Sequence, residues 1–401
     1  MKHKKIYFLF VATVFLTNLS QLPIFVQNGN IKILSYIPWI LSIFYTLYMQ
    51  KGTVYFGSKI YMYFLPSMVL TVCIIHEIKG NNGLGVFLLM PIFMCVFIYM
   101  ISVNVGNHLL KEDLNHLLFA YVISGVILTF SVFQQIVAKG FSWNNVVYAY
   151  ASKNSVSQII LTAIICALFL RGKSKKAVSL FFDVVSVFMA VTLFMLKSRA
   201  TLLGLVIVII SVFFLKEYGK GTKWLMFLVV LCFSLALMVD IDFRESFVEN
   251  IIYANRDKNS LDALSSGRVA QISEFPSLFW EKPFLGYGQD YIECMMLDAF
   301  LETGIFGGVA INIMALVPMI YSIRQYRKKN QFIDAVLVIS AICYYGNGLF
   351  EQQAPFGPGV KCYFLWMLFG ISVAWKKREG KGDKRNGGRT VSYNYSTDIH
   401  G

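Results

Sequence analysis

Apolar segments long enough to cross a bilayer follow one another along most of this chain, and no other feature restricts its possible folds so strongly. A transmembrane helix needs about 20 predominantly apolar residues. Segments of that kind occupy residues 5–26, 31–50, 58–76, 84–104, 117–137, 155–171, 177–196, 199–216, 223–240, 297–323, 332–350 and 360–376. Only 14% of the 401 residues are charged while 57% are hydrophobic, against roughly a quarter charged in ordinary soluble domains. One or two soluble cores do not hide that much apolar surface, so a soluble fold is excluded. Within hydrocarbon the backbone must satisfy its own polar groups, which leaves helices for runs of this length. The sequence therefore predicts an all-α polytopic integral membrane protein with about twelve transmembrane helices.

The formal charge of +14 would suggest nucleic acid in a soluble protein. Membrane proteins instead hold cations in their cytoplasmic loops, so no nucleic-acid partner is expected. With the N-terminus inside, this threading puts 24 of the 36 Lys and Arg on the inner side with 8 of the 22 acids, and leaves 12 cations with 14 acids outside. It is self-consistent and places both termini in the cytoplasm. Residues 2–26 have the basic start and apolar run of a signal peptide but no small-residue cleavage site, and are expected to remain as the first helix. One large outer loop, about 241–296, separates the ninth and tenth helices, and shorter outer loops fall at about 138–154 and 351–361. Residues 1–376 thus form the transmembrane domain. Residues 377–401 are a basic cytoplasmic tail whose composition cannot build a core and is expected to be disordered, held to anionic headgroups. Seven scattered cysteines without C-x-x-C spacing read as small hydrophobes. Cys294 and Cys362 both fall near the outer face, but an odd and dispersed set argues against a disulfide.

Four features near the outer face stand out from the apolar background. Lys197-Ser198-Arg199 puts two cations at the junction of two apolar runs, where charge is costly and marks either function or snorkelling to headgroups. Ser265-Ser266-Gly267-Arg268 in the large loop offers a guanidinium, the cation suited to bidentate phosphate binding, although a lone loop Arg is usually just solvated. Trp280-Glu-Lys-Pro-Phe-Leu-Gly-Tyr-Gly288 matches the start of a dinucleotide fingerprint weakly. It lacks the third Gly and the preceding strand, so a nucleotide site is rejected in favour of a tight turn into the tenth helix. Finally, Asp290, Glu293, Asp298 and Glu302 gather at the entrance of that helix. Acids there either answer the helix dipole or supply a base at the edge of a water-filled cavity.

The order of these elements resembles the bacterial O-antigen polymerase and O-antigen ligase superfamily. The resemblance runs from Ser198-Arg199 opening a span, through Ser266-Gly267-Arg268 in a long outer loop and Trp280 to Gly288, to Leu301-Glu-Thr-Gly-Ile-Phe-Gly307. Lys153-Asn154-Ser155 and Gly348-Leu-Phe-Glu351 also fit. It implies transfer of a glycan from undecaprenyl pyrophosphate to an acceptor hydroxyl at the outer face of a bacterial cytoplasmic membrane, with no metal, nucleotide sugar or other cofactor. The implied partners are the lipid-linked oligosaccharide, membrane lipids, a flippase and a chain-length regulator. Arg199 and Arg268 fall on the family's arginine positions and are expected to neutralise the leaving diphosphate. The acceptor needs a base. Similar ligases carry a His about eleven residues before the Gly of the Glu-Thr-Gly motif, where this chain has Glu293, with Asp290 as the other candidate. A carboxylate at that position favours a repeat-unit polymerase of capsule, exopolysaccharide or O-antigen over a ligase. Lys197, Lys153 and Asn154 are candidates for contacting phosphate or glycan. A flippase of lipid-linked oligosaccharide is the alternative from another class.

Overall fold

A computed structural model describes residues 2–29, 31–49, 61–80, 88–140, 153–253, 260–265, 267–288, 292–329, 331–357 and 359–385. Among these residues the fold is entirely helical, with no strand. The helices are α1 (Lys2–Leu19), α2 (Pro23–Gln27), α3 (Ile31–Met49), α4 (Tyr61–Ile78), α5 (Met90–Gly106), α6 (Lys111–Ala138), α7 (Lys153–Arg171) and α8 (Lys176–Leu196). They continue as α9 (Arg199–Phe214), α10 (Lys220–Val239), α11 (Ile241–Phe247), α12 (Leu261–Ser265), α13 (Arg268–Glu281), α14 (Met295–Lys329), α15 (Phe332–Gly348) and α16 (Tyr363–Arg385). Helices α6, α7, α8, α10 and α14 are long and apolar enough to cross a membrane. Shorter apolar helices lie within α1, α3, α4, α5, α9 and α15.

Among the described residues each apolar segment of the sequence overlaps at least one helix, and several of the differences have local causes. The first is interrupted where Ser20, Gln21 and Leu22 leave the helix and Pro23 restarts it, as suits a residue without an N–H at the first helical position. The tenth begins at Met295, runs on to Lys329 and is broken at Gly304. The last opens with a 3₁₀ turn, Gly359–Cys362, and α16 continues to Arg385, into the basic segment read as a disordered tail. Residues 241–281 of the large loop carry the short helices α11 to α13.

Helix α7 is the centre of the packing. Every residue from Ser155 to Leu170 is buried, enclosed by α6, α8, α9 and α15. Helices α5 and α16 form the most extensive pair. Their backbones approach where a Cβ on Gly370 would meet Tyr99 O and Ser102 Cβ at 2.6 Å, the close approach that small residues permit between membrane helices. Helix α10 lies at the rim: of its residues Thr222 and Met226 are buried, while Trp224, Phe227, Leu228 and Leu235 are exposed. Water would not tolerate that face, but lipid matches it.

One end of the bundle is fastened by charge. Arg171, ending α7, forms a two-pronged ion pair with Asp183 of α8, Nη2 donating to Oδ2 at 3.0 Å, and Nη1 donates to Thr222 Oγ1 of α10 at 2.6 Å. The Lys173 ammonium sits 3.2 Å above the Phe332 ring at the start of α15. At the opposite end the start of α7, the end of α8 and the end of α15 converge on the start of α13 to form a cavity.

Candidate functional site

The chain reverses between α8 and α9 in two residues. Helix α8 stops at Leu196, Lys197 adopts the left-handed conformation (φ 52°, ψ 37°), and Ser198 is extended before α9 begins at Arg199. Lys197 is the one non-glycine with positive φ among the described residues, a conformation that costs a long side chain roughly 1 kcal/mol or more. The reversal turns three successive polar side chains into a cavity of about 500 Å³. The space is wide enough for part of a large substrate. Lys153 and Asn154 of α7, Arg268, Val269 and Ile272 of α13, Ile292, Glu293, Phe350 and Glu351 line it with Lys197, Ser198, Arg199 and Leu203.

Two walls of this cavity are built differently. On the α9 side, Arg199 Nη1 donates to Leu264 O at 2.6 Å, tying α9 to α12. Burial, and next the like charge of Lys153, hold the Lys197 ammonium below the ordinary lysine value, so the site favours an added negative charge there. Beneath, Ser198 donates to Asn154 Oδ1 at 3.0 Å, and Asn154 Nδ2 donates to Glu351 Oε1. Glu351 Oε2 lies 3.6 Å from the ammonium of Lys361.

On the α13 side, Gly267 takes φ 82° and Arg268 is the first helical residue. Arg268 Nη2 pairs with Glu293 Oε2 at 2.5 Å and donates to Phe350 O at 3.0 Å, while Nη1 donates to Ser265 O at 3.3 Å. Its enclosed Nε–H has no hydrogen-bond partner among the described residues, a donor left at the cavity wall. The backbone of Glu293 is itself fixed to α13, its N–H donating to Gln271 Oε1 at 3.1 Å.

The glycines of the turn and of the tenth helix form one joint. Gly304 breaks α14 at φ 63°, ψ −166°, a region open essentially to glycine. The carbonyls released by the break receive Tyr287 N–H (to Leu301 O, 2.7 Å) and Gly288 N–H (to Glu302 O, 2.9 Å), and Ile305 N–H donates back to Pro283 O at 2.8 Å. His76 of α4 holds the turn from the other side, Nε2–H donating to Leu285 O at 2.7 Å. A Cβ on Gly304 would lie 2.2 Å from Phe284 C and O. The turn expected into the tenth helix is therefore present, and it docks against a break in that helix.

The structure thus brings Arg199, Arg268, Glu293, Lys197, Lys153 and Asn154 to one cavity. Asp290 lies outside the described residues. Asp298 and Glu302 do not line this cavity and are buried within α14. Asp298 reaches back to accept the Ile292 N–H at 2.9 Å, which ties the segment before α14 to its first turn. Asn154, expected to contact substrate, has both ends of its amide bound to protein. Cys294 and Cys362 are free thiols, as are the other five cysteines. Among the described residues no cluster of three His, Cys, Asp or Glu side chains could hold a metal. Sequence reasoning missed Lys361, counted there only as one outer cation.

Residues 184–312 match a family model described as O-antigen ligase. The match spans Lys197, Arg199, Arg268 and Glu293 and both parts of the glycine joint, and supports the O-antigen polymerase and ligase superfamily. It points to a multi-pass membrane protein that acts as a glycan polymerase or ligase. No curated protein matches the chain.

Proposed function

We propose that this chain polymerises lipid-linked oligosaccharide repeat units at the outer face of a bacterial cytoplasmic membrane, moving the growing glycan from its diphosphate lipid onto a hydroxyl of the next unit. The observation that carries this reading is the convergence of four cations, Lys153, Lys197, Arg199 and Arg268, on one cavity that also holds the carboxylates of Glu293 and Glu351. A polyprenyl diphosphate leaving group carries two to three negative charges. Cations placed before the reaction lower the barrier most, because they need no reorganisation as that charge develops. Helix α9 adds to the field, since it opens at the cavity wall with no side chain capping its first turn. Leu203, Val269 and Ile272 supply an apolar flank for the lipid end of the donor.

In this scheme the diphosphate sits against Arg199, Lys197 and the guanidinium of Arg268, whose Nε–H, unpartnered among the described residues, is there to be taken up as the side chain shifts. The acceptor hydroxyl attacks the anomeric carbon, its O–H bond breaks as the new C–O bond forms, and the old C–O bond releases the lipid diphosphate. Glu293 takes the hydroxyl proton. In the free protein this carboxylate is held by Arg268, so a phosphate that draws the guanidinium away frees the base only when donor is bound. The twelve-helix threading supports the location, because the starts of α7 and α13 and the ends of α8 and α15 all fall on its cation-poor side.

The test is gel analysis of surface glycan and lipid-linked intermediates in a deletion strain complemented with wild type, Arg199→Ala or Arg268→Ala at matched membrane levels. Single units in place of long ladders, accumulating outside the membrane, are expected for both variants. Normal ladders from both would remove the arginines from the mechanism, finished lipid-linked polymer that never reaches its acceptor would make the chain a ligase, and units trapped inside would make it a flippase.

A further inference from the structure

Lys361 takes no part in the scheme above, yet its side chain is wholly enclosed, at 0% exposure. Its ammonium lies 3.6 Å from Glu351 Oε2 and donates to Asn347 Oδ1 at 3.3 Å. Withdrawing an ammonium from water is costly unless an opposite charge offsets it, and Glu351, 13% exposed, is that charge. The hydrogen-bonding capacities of the groups then fix every direction from Lys361 to the cavity. A carboxylate only accepts, so Glu351 Oε1 must receive the Nδ2–H of Asn154. That choice turns Asn154 Oδ1 towards Ser198, which donates to it at 3.0 Å. Ser198 has one proton and has used it, so in the 3.0 Å contact with Thr201 Oγ1 the threonine is the donor. Ser198 stands between Lys197 and Arg199, inside the reversal that holds Lys197 left-handed.

We propose that Lys361 is a positioning residue: with Glu351 it pins the α8–α9 reversal through Asn154 and Ser198, and so sets the spacing of the Lys197 and Arg199 cations for a diphosphate. The part concerning diphosphate rests on the function proposed above. The pinning does not.

The experiment uses full-length protein in lipid nanodiscs, with undecaprenyl diphosphate as the binding probe and backbone hydrogen exchange read at residues 197–201. Three variants are compared with wild type. Lys361→Met removes the buried ammonium at similar bulk. Ser198→Ala cuts the link at its far end and leaves no buried charge behind. The double variant Lys361→Met, Glu351→Gln removes both charges and keeps an acceptor for Asn154. Lys361→Met and Ser198→Ala are each expected to raise exchange at 197–201 and to weaken probe binding, at least tenfold in both readouts, while the double variant returns to within about threefold of wild type. A merely structural role would instead raise exchange throughout α7, α15 and α16 without singling out 197–201. Wild-type exchange at 197–201 in folded Ser198→Ala or Lys361→Met overturns the proposal, and if Lys361→Met does not fold, Ser198→Ala and the double variant decide. A wild-type protein that fails to bind the probe overturns the diphosphate reading alone, since exchange still judges the pinning.

Discussion

Arg268 directs its N–H donors to an acid and two backbone carbonyls and keeps an enclosed Nε–H without a partner among the described residues, a distribution that depends on the planar fork of arginine. An ammonium has no such fork. Arg268→Lys is therefore expected to lower transfer by roughly 10²–10³, as for loss of one transition-state donor, at unchanged membrane levels; turnover of lipid-linked units by purified protein checks it. Lys197 gives a second prediction through its lowered proton affinity. A Lys that binds its proton less well folded than unfolded adds stability as pH rises between its folded and unfolded values, and below its folded value it stays charged. Binding of a diphosphate probe should accordingly weaken as pH climbs through a range below 10.5, the ordinary value, and Lys197→Met should remove that limb of the profile. Lys197 was legible in the sequence because it interrupts apolar runs, where charge is costly; Arg268, a loop arginine that reads as solvated on its own, was singled out by the family resemblance. Lys361 was not. It stands in a Gly- and Pro-rich stretch that reads as exposed loop, and its burial is a tertiary effect in which Asn347 and Glu351, from the neighbouring α15 and its exit, meet its ammonium.

Among the elements, α14 differs most from its sequence pattern. The largely apolar segment 297–323 predicts a continuous helix, whereas the structure breaks it at Gly304 and fills the gap with the turn at 283–288. Glycine within an apolar run gives no signal of a break, since membrane helices carry it routinely, and the turn that completes the joint precedes the helix. Gly304→Ala meets backbone at 2.2 Å and a forbidden dihedral pair, so it is expected to cost about 3 kcal/mol or more and to unseat the turn at 283–288. Thermal unfolding in detergent should show the loss, and Gly140→Ala serves as control because its added Cβ meets nothing within 4 Å although its φ is also positive. The apolar helices were largely legible, with ends shifted by several residues, as where α6 starts at Lys111 and not at Leu117; the short helices α2 and α11 to α13 were not, because too few residues carry an apolar pattern there.

At the scale of the molecule, the two polar ends of the bundle make opposite claims about access. The cavity end should face outward, and the Arg171–Asp183–Thr222 end inward. Cysteine placed at Ile272, half-exposed on α13, should react with a membrane-impermeant thiol reagent added to whole cells, while one at Lys175 between α7 and α8 should react only after the cells are opened; the reverse pattern would overturn the threading. A last consequence concerns the order of synthesis. Helix α7 hydrogen-bonds to partners made much later: Thr162 to Tyr344, 182 residues on, and Asn154 to Glu351, 197 residues on. While the ribosome is still extending the chain, the central helix must wait with its polar groups unmatched by those residues. Assembly of the interior is thereby tied to the arrival of the C-terminal helices, and a chain that stops before α15 leaves its own middle exposed to whatever surveys unfinished membrane proteins.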